Sequence, residues 1–304
     1  MTLRHVLLCL ALLHLSGCVG SEPMLFLVPD PSRDGLEGRD GPHGAAWYER
    51  RALARVDEGL RYQVVYPAAA DRTASLDAGD GGALPTVVMI HGGFVELERY
   101  RWIGRHLASR GYVTVLADHD ANLALLSSDN SSAALDDVFR QASDPSHVLF
   151  GRLDSNTPSA VLGHSLGGVT AASLWAQAPE RWGVLGILAS FPAGNVEVES
   201  FRDRPTLHLV GTEDEPDAKR EQGFDRFTEP RVLGVIDGMN HYAWTDDATD
   251  SELDGDGEIG RPNAETRSSA QYLMDTCLDA WMRADAGAAS TLDAGVFPGV
   301  EVSR

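Results

Sequence analysis

The pentapeptide Gly163-His164-Ser165-Leu166-Gly167 constrains this chain more than any other feature. It follows a short apolar run, Ala160 to Leu162, and opens a segment in which Leu166, Val169, Ala172 and Trp175 recur at helical spacing. A serine flanked by glycines between a strand and a helix marks a turn so tight that side chains at the flanking positions would strike neighbouring backbone. The serine hydroxyl is thereby lifted clear of the strand. In a glycine-rich chain the bare motif arises by chance, and it is the strand before and the helix after that give it weight.

The surrounding pattern agrees with that placement. Runs at Thr86 to Ile90, Tyr112 to Ala117, Ala160 to Leu162, Val184 to Leu188, Thr206 to Val210 and Val232 to Ile236 are short and rich in Val and Leu, as buried parallel strands are. Between them lie stretches of helical spacing, for example Leu97, Tyr100, Leu107 and Ala108. Strand and helix alternate, which implies an α/β fold: a mostly parallel central sheet with helices on both faces, its ligand chemistry at the carboxyl ends of the strands. Arg61 to Tyr66 reads as an earlier strand, and Asn263 is a plausible N-cap for a last helix running to about Arg283. No internal repeat or second domain is visible. The expected division is a signal peptide over 1–17, a flexible tether over 18–44, one catalytic domain over 45–284 and a disordered tail over 285–304.

A serine hydroxyl is a poor nucleophile near neutral pH and needs a base, held in one tautomer by an acid. Both are expected downstream of Ser165. The run ending at Val210 leads into Gly211-Thr212-Glu213-Asp214, and the run ending at Ile236 leads into Asp237-Gly238-Met239-Asn240-His241. Asp214 and His241 are therefore the candidate acid and base, although Glu213, Glu215 and Asp217 crowd the same loop. His91, His119, His164 and His208 read more simply as packed or hydrogen-bonding side chains. The developing oxyanion requires backbone donors. Leu166 N–H, at the start of the helix, is one candidate, and Gly93 of His91-Gly92-Gly93-Phe94 is the other. Phe94, His164, Tyr242 and Trp244 are candidates for the substrate wall.

These residues carry a resemblance. His91-Gly92-Gly93, Leu107-Ala108-Ser109-Arg110-Gly111-Tyr112, Gly151-Arg152-Leu153-Asp154, Gly163-His164-Ser165-Leu166-Gly167-Gly168 and Asn240-His241-Tyr242 resemble the α/β-hydrolase superfamily. The likeness is to its bacterial esterase branch, near cutinase-like PET hydrolases, platelet-activating-factor acetylhydrolases and dienelactone-hydrolase-like proteins. It implies a single-domain α/β-hydrolase fold and a serine esterase working through an acyl-enzyme, with Ser165, Asp214 and His241 as triad. Gly93 and Leu166 fall where that family's oxyanion amides lie. His164 falls where polyester hydrolases often carry a cleft-lining Trp, which points away from polyesters and toward a plain esterase. Dienelactone hydrolases use Cys where this chain has Ser165. A thioesterase or amidase on the same triad, and a non-catalytic surface-anchored binding lipoprotein, are the alternatives.

Arg4 precedes an apolar run, Val6 to Leu15, too short to span a bilayer. Leu15-Ser16-Gly17-Cys18 looks like the lipobox of bacterial lipoproteins, in which the cysteine is acylated and becomes the mature N-terminus. The expectation is an exported cell-envelope lipoprotein, in the outer membrane if the host is Gram-negative because Val19 replaces the retention-signal Asp. With Cys9 removed and Cys18 acylated, only Cys277 remains, so the C-terminal disulfide common in cutinase-like enzymes cannot form. Cys277 shares a helical stripe with Ala270, Leu273, Met274 and Trp281 and reads as core. The formal charge of -20 argues against nucleic acid and suits neutral or cationic substrates, with a well-solvated surface as the simpler reading; the expected partner is a small-molecule or polymeric ester, and the expected state a monomer. No cofactor is required by this chemistry. Asp250, Glu252, Asp254, Asp256 and Glu258 form an acidic stretch after the base that is a candidate structural calcium loop, with a solvated acidic loop as the simpler reading.

Overall fold

Each Val- and Leu-rich run becomes a strand of one sheet in the computed structural model. The structure describes residues 23–25, 40–52, 60–69, 74–77, 81–119, 128–194, 196, 203–214, 223–254 and 256–304. The expected signal peptide, Cys18, most of the expected tether, Glu215 and Asp217 lie outside them. The strands are β1 (Met24–Leu25), β2 (Gly44–Ala52), β3 (Leu60–Ala68), β4 (Thr86–Ile90), β5 (Val113–Ala117), β6 (Ser159–His164), β7 (Trp182–Leu188), β8 (Thr206–Gly211), β9 (Arg231–Ile236) and β10 (Val300–Ser303). They run across the sheet in the order β1-β2-β3-β5-β4-β6-β7-β8-β9-β10. The six strands from β5 through β4 to β9 are mutually parallel, while β1, β2, β3 and β10 are added antiparallel at the two edges.

Helices cover both faces because successive residues of each strand point to opposite sides. Val87 and Met89 join Leu162, Leu188 and Leu209 beneath helices α1 (Arg101–Ser109) and α5 (Asn263–Met282), whose Ile103, Leu107, Leu273, Met274 and Cys277 complete that layer. Val88 and Ile90 join Val161, Leu185 and Ile187 beneath α2 (Ser128–Gln141) and α3 (Leu166–Gln177), which supply Leu135, Val138, Ala171 and Trp175. Cys277 is fully buried. A short α4 (Asp250–Leu253) and a terminal α6 (Ala286–Ala294) finish the set. No helix among the described residues is long and apolar enough to cross a membrane.

The chain leaves β4 for β5 on one side and places β6 on the other. The loops after β4 and β6 therefore diverge, opening a crevice at the carboxyl edge where the strand order reverses.

Three expectations need correction. Residues 285–304 are not a disordered tail: Asp285 caps α6 through its side chain, Leu292 and Phe297 are buried against the core, and β10 pairs with β9 from Val300 to Ser303. β9 would otherwise expose a row of unpaired backbone groups, and the tail covers that edge. Asn263 is the first residue of α5, with Pro262 in the N-cap position and no side-chain cap. Within the expected tether, Met24–Leu25 pairs with Ala46 and Trp47 of β2 as an edge strand.

Candidate active site

The turn from β6 into α3 places Ser165 at φ 52° and ψ -122°, a left-handed conformation that strains any residue but glycine. Its neighbours must be glycine for space. A Cβ on Gly163 would lie 2.1 Å from the carbonyl oxygen of Gly167, and one on Gly167 would lie 2.3 Å from that of Ile90. The backbone of the serine is held from both sides. Its N–H donates to Leu188 O at 3.0 Å, and its carbonyl accepts from Gly168 N–H at 2.9 Å and from the Ser190 hydroxyl. Strain of this kind persists only where the surroundings over-determine it. Leu166 opens the helix, so its N–H has no intrahelical partner and lies at the positive end of the helix dipole, next in sequence to Ser165.

The loops after β8 and β9 are stitched together. Glu213 N–H donates to Met239 O at 3.0 Å, Gly238 N–H donates to the Thr212 hydroxyl at 2.9 Å, and a Cβ on Gly211 would fall 1.8 Å from Met239 O. This close approach carries Asp214 to His241, with Nδ1 of the imidazole 2.8 Å from Asp214 Oδ1. Asn240 fixes the imidazole-bearing turn His241–Trp244 by accepting from Ala243 N–H at 3.0 Å and donating to Gly257 O at 2.9 Å. An ionised carboxylate offers only acceptors, so Nδ1 carries the ring proton and Nε2 presents a lone pair. The His241 ring packs against that of His164, the residue before Ser165, at 4.7 Å between centroids. Serine turn and imidazole thus meet at one edge of the sheet.

The remaining candidates divide. Phe94, at φ 59° and 79% exposed, stands free on the loop after β4, and Tyr242 packs edge-on against His241. His164 and Trp244 are buried, at 1% and 0% exposure, and cannot line a substrate wall. Each is enclosed because it packs beneath the site: Trp244 stacks with Trp102, and His164 is bonded on both ring nitrogens. Gly92 N–H is already engaged by the Tyr100 hydroxyl at 2.9 Å. The other histidines keep the roles expected of them: His91 stacks on His119 at 3.7 Å, and His208 donates from Nε2 to Ser190 O, with burial lowering its pKa to about 4. Sequence reasoning missed Tyr100 and Ser190 as site residues. Tyr100 read as one member of an apolar helical pattern, and nothing local marks where its hydroxyl goes.

Among the described residues no three His, Cys, Asp or Glu side chains are grouped to hold a metal ion. Two of the five calcium candidates are committed elsewhere. Asp256 accepts from Tyr242 N–H at 2.8 Å and from Gly257 N–H at 2.9 Å. Glu252 makes a two-pronged pair with Arg99 at 2.8 and 2.9 Å and closes a capping box with Thr249. Arg99 also donates to Asp246 O and Thr245 Oγ1, tying the loop after the imidazole to the turn that carries Tyr100.

These Arg99 and Thr249 bonds hold the Glu252 carboxyl down from 4.5 to about 2. A depressed carboxyl pKa contributes stability that is complete above the unfolded value and lost as pH falls through the folded one. Glu252→Gln is therefore expected to be less stable than the parent at pH 6, with the difference shrinking as pH falls from 4.5 to 2. Urea unfolding at a series of pH values checks this, and a gap that stays constant down to pH 2 refutes it.

A serine on a strained turn between strand and helix, at the carboxyl edge of a helix-covered parallel sheet, defines a hydrolase-type architecture. The model of the alpha/beta hydrolase family matches residues 86–261, more than half of the chain, and the chain belongs to that family. Comparison with curated protein sequences gave no match.

Proposed function

We propose that this hydrolase is a serine esterase that cleaves carboxylic esters through an acyl-enzyme. The observation that carries the reading is the 2.8 Å pair of His241 Nδ1 and Asp214 Oδ1, delivered beside the turn that exposes Ser165. In this reading Ser165 Oγ attacks the ester carbonyl and His241 Nε2 takes its proton. The imidazolium, stabilised by Asp214, returns that proton to the departing alkoxide. Water then repeats the sequence against the acyl-enzyme and frees the acid. The tetrahedral oxyanion is held by the amides of Leu166 and Gly93, since the Gly92 amide is engaged by Tyr100.

Phe94, exposed on the loop after β4, and Tyr242, packed beside the His241 ring, supply apolar surface that suits an acyl or alkyl group rather than a charged one. The net charge of -20 favours neutral or cationic esters. Burial of His164 removes it from the cleft position of the polyester hydrolases, and within the esterase branch a plain esterase on small esters fits best. Acylation at Cys18 would anchor the exported enzyme to the cell envelope, with its active edge reaching ester substrates outside the cytoplasm.

The test is reaction with a fluorophosphonate probe, followed by turnover of p-nitrophenyl esters of graded acyl length beside matched thioester and anilide analogues. Labelling of the wild type with turnover of short esters is expected. No labelling would favour a binding protein, and turnover confined to thioesters or anilides would replace esterase with thioesterase or amidase.

A further inference from the structure

We infer that Tyr100 and His164 are positioning residues for acyl transfer, their side chains forming one hydrogen-bonded chain that locks three loops into a single unit. These are the oxyanion loop, the Ser165 turn and the turn that carries His241. The inference rests on the serine esterase reading above.

The chain has four members and a single direction. Gly92 N–H donates to the Tyr100 hydroxyl at 2.9 Å, and the hydroxyl lies 2.7 Å from His164 Nδ1. His164 Nε2 lies 3.1 Å from the carbonyl oxygen of His241. A carbonyl only accepts, so Nε2 must carry the proton. Nδ1 of a neutral ring is then the acceptor, and the phenol must spend its one hydrogen there. Every donor has one acceptor.

Both side chains are 1% exposed, so each bond is made out of reach of water, where an unmade one costs more. Burial, with His241 beside it, drives the pKa of His164 well down, and the phenol is pushed up by its own burial. His164 thus stays neutral 4.7 Å from the ring that must become cationic, and adds no like charge when His241 takes up the serine proton.

The partners chosen are what separate positioning from packing. Phe would fill nearly the same volume as Tyr100, and an apolar side chain could pack at position 164, yet the polar atoms present are spent on the backbones of Gly92 and His241, each within a residue of a group the reaction uses. Space is equally tight. A Cβ on Gly92 would lie 2.9 Å from the Tyr100 hydroxyl, 3.0 Å from His164 Nδ1 and 3.4 Å from Ser165 Cβ, so the oxyanion loop is pressed onto the relay and the nucleophile together. A small shift in any of the three loops changes the distance between nucleophile, base and oxyanion donors, to which the rate is steeply sensitive.

The experiment compares the wild type with Tyr100→Phe, His164→Phe and the double variant, counting competent sites by fluorophosphonate titration so that misfolded molecules drop out. Steady-state hydrolysis of p-nitrophenyl butyrate then gives kcat per titrated site and KM. Each single variant is expected to lose about 10- to 100-fold in kcat with KM changed less than about threefold. The double variant should fall no further than the worse single one, because both break the same chain. Wild-type kcat per site in Tyr100→Phe, even with a lowered melting temperature, would overturn the inference, as would losses that multiply in the double variant. A wild type that neither takes up the probe nor hydrolyses the ester would instead overturn the esterase reading itself.

Discussion

Ser165→Ala is expected to lower kcat for a short p-nitrophenyl ester by about 10⁶-fold, with fluorophosphonate labelling abolished and the melting temperature nearly unchanged. The fold should tolerate the change because the bonds that hold this turn are made by backbone: Ser165 N–H to Leu188 O, and Ser165 O from Gly168 N–H and the Ser190 hydroxyl. Alanine at φ 52° is strained no more than serine there, so the loss falls on chemistry and not on folding. What survives should be the modest acceleration over water that oxyanion donors and binding supply without a nucleophile. Kinetics on freshly purified, mass-verified protein checks the figure. Retention of more than about a hundredth of the activity would place the nucleophile elsewhere, since a catalytic serine removed alone costs nearly as much as the whole triad.

The central sheet was legible because β4 to β9 are covered on both faces and so read as unbroken apolar runs whose bounds match the strands to within about two residues. The edges were not. β2, with the sequence Gly-Ala-Ala-Trp-Tyr-Glu-Arg-Arg-Ala, carries arginines and a glutamate that bond across the surface, and it has no such run to announce it. α6 is rich in Ala, Gly and Ser, and β10 is only four residues long, Val-Glu-Val-Ser, so both suit an unstructured tail locally. They are ordered by distant partners: Tyr272 packs on Phe297 at 5.1 Å, and β9 supplies the ladder.

The site divides along the same physical line. Ser165, Asp214 and His241 follow short strands in the order that a nucleophile, acid and base take in this fold, and turn chemistry at Gly163, Gly167 and Gly211 leaves a sequence trace. The link from Tyr100 to His164 joins side chains 64 positions apart inside the protein, and neither has a neighbour in sequence that signals the bond. Of the two readings the sequence allows for His164, a packed hydrogen-bonding side chain and a cleft wall, the second rests on a positional likeness alone. Burial and two satisfied ring nitrogens assign the side chain to the support of the site.

Asp214→Asn is expected to reduce kcat by about 10⁴-fold while leaving the geometry of the pair in place. The cause is the imidazole tautomer. In the wild type, an acceptor-only carboxylate at 2.8 Å keeps the proton on His241 Nδ1 and leaves the Nε2 lone pair for the serine proton. An asparagine amide can offer N–H to Nδ1 instead, which drives the ring proton to Nε2, and a protonated Nε2 has no lone pair to accept with. The amide also stabilises the imidazolium less, because it brings no negative charge to a site only 8% exposed at the acid side chain. Glu213→Gln is the matched control. Glu213 stands one residue away in the same crowded loop, but its carboxylate accepts from the Thr212 hydroxyl at 2.9 Å and makes no bond to His241, so its loss should change kcat by less than about threefold. Measured side by side at pH 7.5 to 8 in one buffer, the two variants separate the acid from its neighbours. If Glu213→Gln proved the more damaging, the acid would be Glu213, and the pairing of Asp214 with the imidazole would be incidental to catalysis.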